Sequence, residues 1–510
     1  MSESRSKNSK RNIISGLLKQ SITLLLGFAT RTIVLFFLGA AYQGLNGLLN
    51  SVLQMLSLTD LGFSTAVIYI LYKPIAENDT ESICGIVNFL KKVYRLVGVI
   101  ILILGLILLP FLKFFIKDEI PNDINIYILY CIYLFNAVIS YFSFAYKNSV
   151  LSAMQREDIV SNVYSFSAIF VKVLQIILLL LFRNYYLFII VIPIGTILNN
   201  ILVEIESRRR FPQIIPSGTM SKEQKGVFSK QIKGIYIGKL SDVARNSFDN
   251  IVIASFLGLT AVAIYDNYYY IYNALYGFMA IIIHAIMASA GNSIVTESRE
   301  KNFNDMLNIN FLFMMIVGWC SICMFCLYQP FMLFWMKGNT NLLLSDSNMG
   351  LFCFYFYAIN MTYVRSIYLD GFGLFFECRF WCIGEAVSNL LLNVLLCKVF
   401  GITGVIVATI ITIIFFNFYG RSEVLFSHYF RSGKGKFYFE HIVFLLITIV
   451  IAVLSKFICN HFVFDTIVQL IFNLFVCCLT SFAVYFIVFR NSSRFKNAIS
   501  FLKKVIHAKR

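Results

Sequence analysis

Nearly the whole chain is divided into apolar stretches long enough to cross a lipid bilayer. About twenty mostly apolar residues cross the hydrocarbon core as a helix, because a helix satisfies its own backbone hydrogen bonds there. Only 14% of the 510 residues are charged and 59% are hydrophobic, whereas soluble domains carry about 25% charged residues. The sequence therefore predicts an all-α polytopic membrane protein and excludes a soluble protein with a single anchor.

Hydropathy along the sequence predicts about fourteen transmembrane helices. The predicted spans are residues 13–38, 43–71, 84–112, 124–148, 158–181, 185–205, 234–257, 261–291, 307–335, 349–369, 380–399, 402–425, 438–458 and 464–489. One long polar stretch interrupts them, and we place a domain boundary there. The predicted domains are an N-terminal six-helix lobe (13–206), a basic cytoplasmic linker (207–233), a C-terminal six-helix lobe (234–427), two extra helices (438–489) and a basic cytoplasmic tail (490–510).

Lysine and arginine residues lie mainly on one side of this arrangement. With both termini in the cytoplasm, the inner segments carry roughly five times as many Lys and Arg residues as the outer loops, as the positive-inside rule requires. This distribution explains the net charge of +17, which therefore does not indicate nucleic acid as a partner. Basic segments beside a membrane attract anionic lipid headgroups instead.

The twelve cysteines do not form a recognisable metal or disulfide motif. Cys320, Cys323 and Cys326 occur at helical spacing in one apolar run, and Cys477 and Cys478 lie in another. Thiolates are costly in hydrocarbon, so we interpret these residues as small, polarizable packing groups and predict no metal site.

A few charged side chains lie within the predicted spans, where each costs roughly 2.5–3.5 kcal/mol to insert. The cations are Arg31, Lys172, Lys239, Arg245 and Arg365, and the deep acids are Asp60 and Asp249. Charges at this depth face a polar cavity between helices or pair with one another. We therefore expect a transporter.

A weak internal repeat supports two pseudo-symmetric lobes. The first predicted span ends at Leu38-Gly39 and the seventh at Leu257-Gly258, and each is followed by a short outer turn and a long helix. Aligning these pairs places Arg31 within one residue of Asp249. Repeats of this kind are common in secondary transporters, whose binding sites lie at the repeat interface.

Several segments together resemble one known family. They are Arg31 with Leu38-Gly39 and Tyr42–Asn46, then LSLTDLGFSTAVIYILYKPIAEND (Leu56–Asp79), the Ala153–Arg156 turn and DNIVIASFLG (Asp249–Gly258). The chain is similar to bacterial polysaccharide flippases of the Wzx type, in the multidrug/oligosaccharidyl-lipid/polysaccharide exporter superfamily. The similarity covers the whole chain in layout, although only these segments are specific.

The resemblance implies two lobes around a central cavity that opens alternately to either side of the bacterial cytoplasmic membrane. The implied substrate is an undecaprenyl-diphosphate-linked oligosaccharide, moved to the outer leaflet for capsule or exopolysaccharide synthesis. No covalent chemistry is required, so an enzyme is not expected. We expect no cofactor, a proton or sodium gradient as the energy source, and glycosyltransferases and a polymerase of the same pathway as partners.

The charged residues fit such a substrate, and each has a second interpretation. A planar guanidinium binds two phosphate oxygens at once, so we assign Arg31, Arg245, Arg365, Lys172 and Lys239 to substrate binding. Asp249 and Asp60 are assigned to ion coupling. Alternatively, Arg31 belongs to an interhelical pair, and Arg245 pairs with Asp249 four residues later. Arg365 has the acid Asp370 close by in the sequence, the two lysines extend toward the membrane surface, and Asp60 is a helix-break or packing carboxylate.

The tyrosines between Tyr265 and Tyr276 and the single His284 fall in the eighth predicted span. The tyrosines are typical of an interfacial aromatic belt or of stacking on sugar rings. His284 is typical of a packed core histidine, and the pKa range of histidine also suits proton coupling. Three other functions are considered: a cation-coupled drug or metabolite exporter, a membrane glycan polymerase or ligase, and a structural scaffold. The outer loops of about a dozen residues are short for a polymerase, and a scaffold does not explain arginines within the membrane.

Overall fold

In the computed structural model, residues 5–57, 63–117 and 120–496 are described, and this part of the chain contains helices and no strand. The first nine α-helices are α1 (Arg5–Phe37), α2 (Ala40–Leu56), α3 (Phe63–Glu77), α4 (Thr80–Leu108), α5 (Ile126–Phe142), α6 (Tyr146–Ala153), α7 (Glu157–Phe182), α8 (Tyr185–Arg210) and α9 (Lys222–Leu257). The others are α10 (Leu259–Thr296), α11 (Arg299–Trp335), α12 (Asp346–Asn360), α13 (Tyr363–Gly371), α14 (Arg379–Phe400), α15 (Ile402–Thr412), α16 (Arg421–Leu425), α17 (Lys434–His461) and α18 (Thr466–Phe489).

Each of the fourteen predicted spans overlaps one of these helices or a run of consecutive ones, which confirms the all-α membrane architecture. In the described part, ten helices or helix runs are long and apolar enough to cross a membrane, and α5 and α6, bent by 48° at their junction, pass the same test only when taken together. The remaining predicted spans coincide with α2 and α3, with α9, and with α10. Helix α9 is too polar for a simple hydropathy test, since its predicted span carries Lys239, Asp242, Arg245 and Asp249.

The chain divides into two compact units. Unit 1 comprises residues 1–266 and 389–401, and unit 2 comprises residues 267–388 and 402–510. Helices α10 and α14 each contribute to both units.

In unit 1, α1 packs against α7, α7 against α8, α2 against α9 and α4 against α5. Apolar residues of α3, α4 and α6 form a buried core that includes Val67, Ile86 and Val150. Helix α4 begins at an N-cap: Asp79 accepts a hydrogen bond from the Ser82 N–H at 3.0 Å. Hydrogen bonding from the side chain and then from the backbone of Ser82 lowers the pKa of Asp79.

The segment between α8 and α9 is bound to unit 1. Asn88 donates to the Gly218 carbonyl at 2.8 Å, and Lys147 donates to the Ile214 carbonyl at 3.3 Å. Gly85 is required for this approach, since a Cβ there would lie 2.8 Å from the Thr219 carbonyl oxygen. The predicted linker 207–233 thus begins inside α8, continues as this bound segment and ends inside α9.

The two Leu-Gly pairs of the repeat have the same backbone geometry. Gly39 separates α1 from α2 with φ 109° and ψ 172°, and Gly258 separates α9 from α10 with φ 96° and ψ 176°. This region of conformational space is essentially restricted to glycine. Both glycines therefore permit a sharp turn between two long helices.

In unit 2, α11 packs against α12, α17 and α18, and α12 packs against α15. A buried core joins α11, α17 and α18 and contains Ile322, Ile451 and Val476. The run that begins with α15 includes two π-helical segments, Ile413–Gly420 and Phe426–Phe430. π-helical turns are rare and occur often at functional sites.

Candidate functional site

Arg31 forms an ion pair with Asp266 in unit 1. The Nη2 atom of Arg31 lies 3.2 Å from the Asp266 carboxylate, and Nη1 donates to the Asp266 carbonyl at 3.3 Å. The side chains are 21% and 10% exposed. The pair joins α1 to α10 and leaves 21% of the Arg31 side chain exposed, so Arg31 combines features of both interpretations, the interhelical pair and the accessible cation.

The Asp266 carboxylate is held in place by α2 and α9. Asn250 donates to the other carboxylate oxygen at 3.1 Å and to the Ser51 hydroxyl at 3.0 Å. Gly47 on α2 allows the carboxylate to approach closely, because a Cβ there would lie 2.8 Å from it. Arg31, Asp266, Asn250 and Ser51 therefore form a connected polar network.

Asp249 anchors a second network beside the first. Asn393 donates to one of its carboxylate oxygens at 2.7 Å, and the Tyr265 hydroxyl donates to the other at 2.6 Å. Asn393 also donates to the Asn389 side-chain oxygen at 3.3 Å, and all four side chains are buried. The Asn393 side-chain oxygen is buried and accepts no hydrogen bond from the described residues. A carboxylate and amide oxygens are the ligand types that a hard cation prefers.

The other predicted site residues of unit 1 have different surroundings. Arg245 is buried, and its Nη2 donates at 2.9 Å to Asp242, one turn before it on α9. The pair with Asp249 that the sequence spacing suggested stays a prediction. Lys172 donates to Gln175 at 3.1 Å on α7, and α7 packs against α1, which carries Arg31. Lys239 is exposed. Asp60 lies outside the described residues.

Arg365 lies in unit 2, where its side chain is 1% exposed. Its Nη2 atom donates to the Asn417 side-chain oxygen at 2.8 Å, while Nε and Nη1 have no partner among the described residues. Asn417 in turn donates to Glu385 at 3.4 Å, and Arg421 donates to the other Glu385 oxygen at 2.7 Å. The cluster therefore holds two arginines and one carboxylate. Asn417 lies in the π-helical segment Ile413–Gly420.

The tyrosines of α10 have two kinds of environment. Tyr265 and Tyr268 are buried, and they donate to Asp249 and Gln329, respectively. Tyr272 stacks between Tyr269 and Tyr276, with ring centroids 5.1 and 5.9 Å away. The buried tyrosines thus act as hydrogen-bond donors and packing groups within the protein. The side chain of His284 lies outside the described residues.

Several residues of these networks were not identified from the sequence. Asp266 offered a signal, because it is an acid within the predicted span 261–291. Asn250, Asn393 and Asn417 offered none, since an asparagine in an apolar helix does not reveal its partner. Glu385 was visible as an acid, but its pairing with Arg421 was not.

The comparisons with known proteins are as follows. Residues 9–287, more than half of the chain, match the model of a family described as polysaccharide biosynthesis protein. This range includes Arg31, Arg245, Asp249 and Asp266. A comparison with curated protein sequences gives no significant match.

Solved transporter structures share the fold. The lipid II flippase MurJ in an inward closed conformation matches with a TM-score of 0.69 and 15% identity, over 94% of this chain and 99% of that chain. An inward-facing multidrug resistance transporter of the MATE family and MOP superfamily matches with a TM-score of 0.60 and 15% identity, over 81% and 98%. A MOP superfamily transporter from Pyrococcus furiosus Vc1 matches with a TM-score of 0.55 and 14% identity, over 82% and 96%.

Proposed function

The chain belongs to the family of polysaccharide biosynthesis proteins, and from this premise we propose that it is a flippase for undecaprenyl-diphosphate-linked oligosaccharides. It moves these repeat units from the inner to the outer leaflet of the bacterial cytoplasmic membrane by alternating access. The product is used for capsule or exopolysaccharide synthesis. Glycosyltransferases supply its substrate and a polymerase consumes its product.

The partly exposed Arg31 held by Asp266 is the observation that carries this proposal. Without substrate, the carboxylate compensates the guanidinium and keeps it in a fixed position within the membrane. A substrate diphosphate competes with the carboxylate for the same N–H groups and can bind two of them together. Lys172 adds a second positive charge nearby. Arg31, Lys172 and Asp266 together carry one net positive charge, which favours an anionic headgroup.

The remaining cations contribute in other ways. Lys239 is exposed and extends the basic surface along α9. Arg245 and Arg365 are buried, so they contact the diphosphate only in a conformation that uncovers them. The Nε and Nη1 atoms of Arg365 have no partner in the described part of the chain, and both can donate hydrogen bonds to phosphate oxygens.

The energy source in this proposal is a proton or sodium gradient that acts at Asp249. A cation that binds the Asp249 carboxylate and the free oxygen of Asn393 competes with the hydrogen bonds from Tyr265 and Asn393. Asn250, the residue after Asp249, donates a hydrogen bond to the Asp266 carboxylate, and this carboxylate forms the ion pair with Arg31. Cation binding is thereby linked to the diphosphate site. One charge crossing 100 mV supplies about 2.3 kcal/mol, which biases a conformational equilibrium substantially. Asp60 is a second acid in this proposal.

A cation-coupled exporter of drugs or metabolites is the alternative, and the similarity to a multidrug resistance transporter favours it. The two functions make different demands on Arg31. A diphosphate needs a fixed cation in the membrane. Most drug substrates are themselves cationic or apolar, so a fixed cation repels them or does not attract them.

The test uses purified protein in proteoliposomes loaded with a lipid-linked oligosaccharide, with flipping measured by enzymatic access to the sugar. We expect Arg31→Ala to abolish flipping and Arg31→Lys to restore part of it, because a point charge does not replace bidentate binding. Arg209→Ala is the matched control, since this arginine lies on the surface with a 76% exposed side chain. If the Arg31→Ala variant flips the oligosaccharide at the wild-type rate at equal abundance, the proposal is contradicted. Drug efflux by the protein without oligosaccharide flipping supports the exporter.

A further inference from the structure

Three buried thiols from three helices meet in unit 2. Cys326 lies on α11, Cys459 on α17 and Cys477 on α18, and their Sγ atoms all lie within 4.8 Å of one another. All three side chains are buried. Among the residues that the structure describes, this is the one group of three potential metal-ligand side chains that come so close.

The spacing suits a metal ion bound by three sulfur atoms. Metal–sulfur bonds near 2.3 Å place three sulfurs around one ion about 4 Å apart. The thiols therefore need to move by less than about 1 Å, a distance that side-chain rotation provides. Soft thiolate ligands select soft ions, above all Cu(I) and zinc. Structural zinc almost always takes four ligands, whereas this group offers three.

We propose that Cys326, Cys459 and Cys477 form a binding site for a soft monovalent metal ion of the Cu(I) type. Binding forms metal–sulfur bonds, and each thiol that binds as a thiolate releases its proton to water. In the structure, the Cys477 thiol is a weak donor to the Ile322 carbonyl oxygen at 3.9 Å. Metal binding replaces this contact with a metal–sulfur bond.

The surroundings of the thiols fit such a site. Lys456 lies one turn before Cys459, with its Nζ 5.9 Å from the centre of the Phe325 ring. Its positive charge offsets the negative charge of a thiolate-bound monovalent ion, which is otherwise costly within a membrane.

Two side-chain amides hold the backbone around the site. Asn473 on α18 donates to the Cys326 carbonyl at 3.2 Å, and Gln469 donates to the Cys459 carbonyl, also at 3.2 Å. Gln469 also donates to the Asn473 side-chain oxygen at 2.8 Å. These bonds fix α18 relative to α11 and α17. The three thiols are therefore positioned before any ion binds, as a preorganised metal site requires.

The cluster lies close to the end of one of its three helices, and an ion bound there has a structural consequence. Cys459 lies two residues before the end of α17 at His461, so the cluster is near a helix end. A bound ion connects the two C-terminal helices, α17 and α18, to α11. We therefore expect metal binding to raise the thermal stability of the protein, because the ion binds the folded state and not the unfolded chain.

The experiment uses Ag(I), a redox-stable probe for Cu(I), with purified full-length protein kept reduced in detergent. After dialysis against a competing thiol, retained silver is measured by mass spectrometry. We expect about one tightly bound ion, and a loss of affinity of at least roughly tenfold in Cys326→Ser, Cys459→Ser and Cys477→Ser, since even supporting residues of metal sites contribute 10- to 100-fold. Cys478→Ser is the matched control, because Cys478 is the exposed neighbour of Cys477.

A second measurement applies if the serine variants do not fold. In the unaltered protein, Ag(I) should slow the reaction of Cys326, Cys459 and Cys477 with maleimide during heating, when these buried thiols become accessible, and leave the exposed Cys478 reactive. No retained silver, or equal retention in all variants, overturns the proposal. Preferential retention of Zn²⁺ over Ag(I) overturns the assignment to a soft monovalent ion. A disulfide between two of the three cysteines in the isolated protein, without bound metal, assigns the cluster to redox chemistry and also overturns it.

Discussion

Arg31 and Asp266 should be energetically coupled in their contributions to the free energy of unfolding, and the Asp266→Asn variant begins the test of this coupling. The asparagine keeps an oxygen that can accept the hydrogen bond from Asn250, and it removes the charge that compensates Arg31. The variant therefore leaves a cation within the membrane without its carboxylate. The reverse change, Arg31→Gln, leaves the carboxylate without its cation. The double variant removes both charges and should recover part of the lost stability.

The magnitude follows from the geometry of the pair. Two unit charges 3.2 Å apart attract each other by about 5 kcal/mol at an effective dielectric constant of 20. Desolvation offsets part of this energy, and the 21% exposure of Arg31 lets water screen another part. Breaking a fully buried pair costs about 3–5 kcal/mol and an exposed pair contributes at most about 1 kcal/mol. We therefore expect each single variant to lose about 2 kcal/mol, with a coupling energy of similar size.

The assay is a double-mutant cycle on the free energy of unfolding of the purified protein. The exposed pair of Arg209 and Glu206, with its charged atoms 3.6 Å apart, is the control and should give a coupling energy below about 0.5 kcal/mol. Additive effects of Arg31→Gln and Asp266→Asn would refute the reasoning. In the flipping assay, Asp266→Asn should bind the diphosphate more tightly and release it more slowly, because no carboxylate competes for Arg31.

Three further predictions follow from the fold and the Asp249 network. Asp249→Asn should retain substrate binding and lose the stimulation of flipping by a proton or sodium gradient, measured in proteoliposomes; wild-type stimulation would move the coupling role elsewhere. Gly258→Ala should destabilise the protein by about 1–3 kcal/mol through backbone strain at φ 96°, measured by thermal unfolding, whereas Gly238→Ala within the same helix should be neutral or stabilising. Reporter fusions after Lys222 should be cytoplasmic and those after Asn341 external, and the opposite result at either site contradicts the predicted topology.

The helices were predictable from the sequence because the physical constraint is simple. A helix that crosses the bilayer needs a minimum apolar length, and each predicted span overlaps a helix or a helix run. The Leu-Gly pairs were also readable, since a glycine between two long apolar runs indicates a turn. Hydropathy contains no information on where a helix is interrupted inside a span. For this reason the break between α12 and α13 and the π-helical segment Ile413–Gly420 were not predicted.

The partners of the charged residues could not be predicted, because they are set by tertiary structure. Asp266 lies 235 residues after Arg31, and no local pattern connects them. The spacing rule that suggested a pair between Arg245 and Asp249 is correct for isolated helices. In the folded protein, Asp249 accepts hydrogen bonds from Tyr265 and Asn393, and Asp242 contacts Arg245; the spacing between Arg245 and Asp249 indicates none of these three partners.

The arrangement of α9 and α10 explains how two sites can be linked without a long pathway. Asp249 and Asn250 are consecutive on α9, and their partners Tyr265 and Asp266 are consecutive on α10. Consecutive residues of an α-helix point about 100° apart, so the two contacts lie on different sides of the helix pair. A rotation or shift of α9 against α10 therefore strains both contacts together. In the proposed coupling, a cation that competes for the Asp249 carboxylate weakens the Tyr265 contact and allows α9 to move, and the bond from Asn250 to Asp266 changes with it. Arg31 would then lose part of its compensating charge when the diphosphate binds.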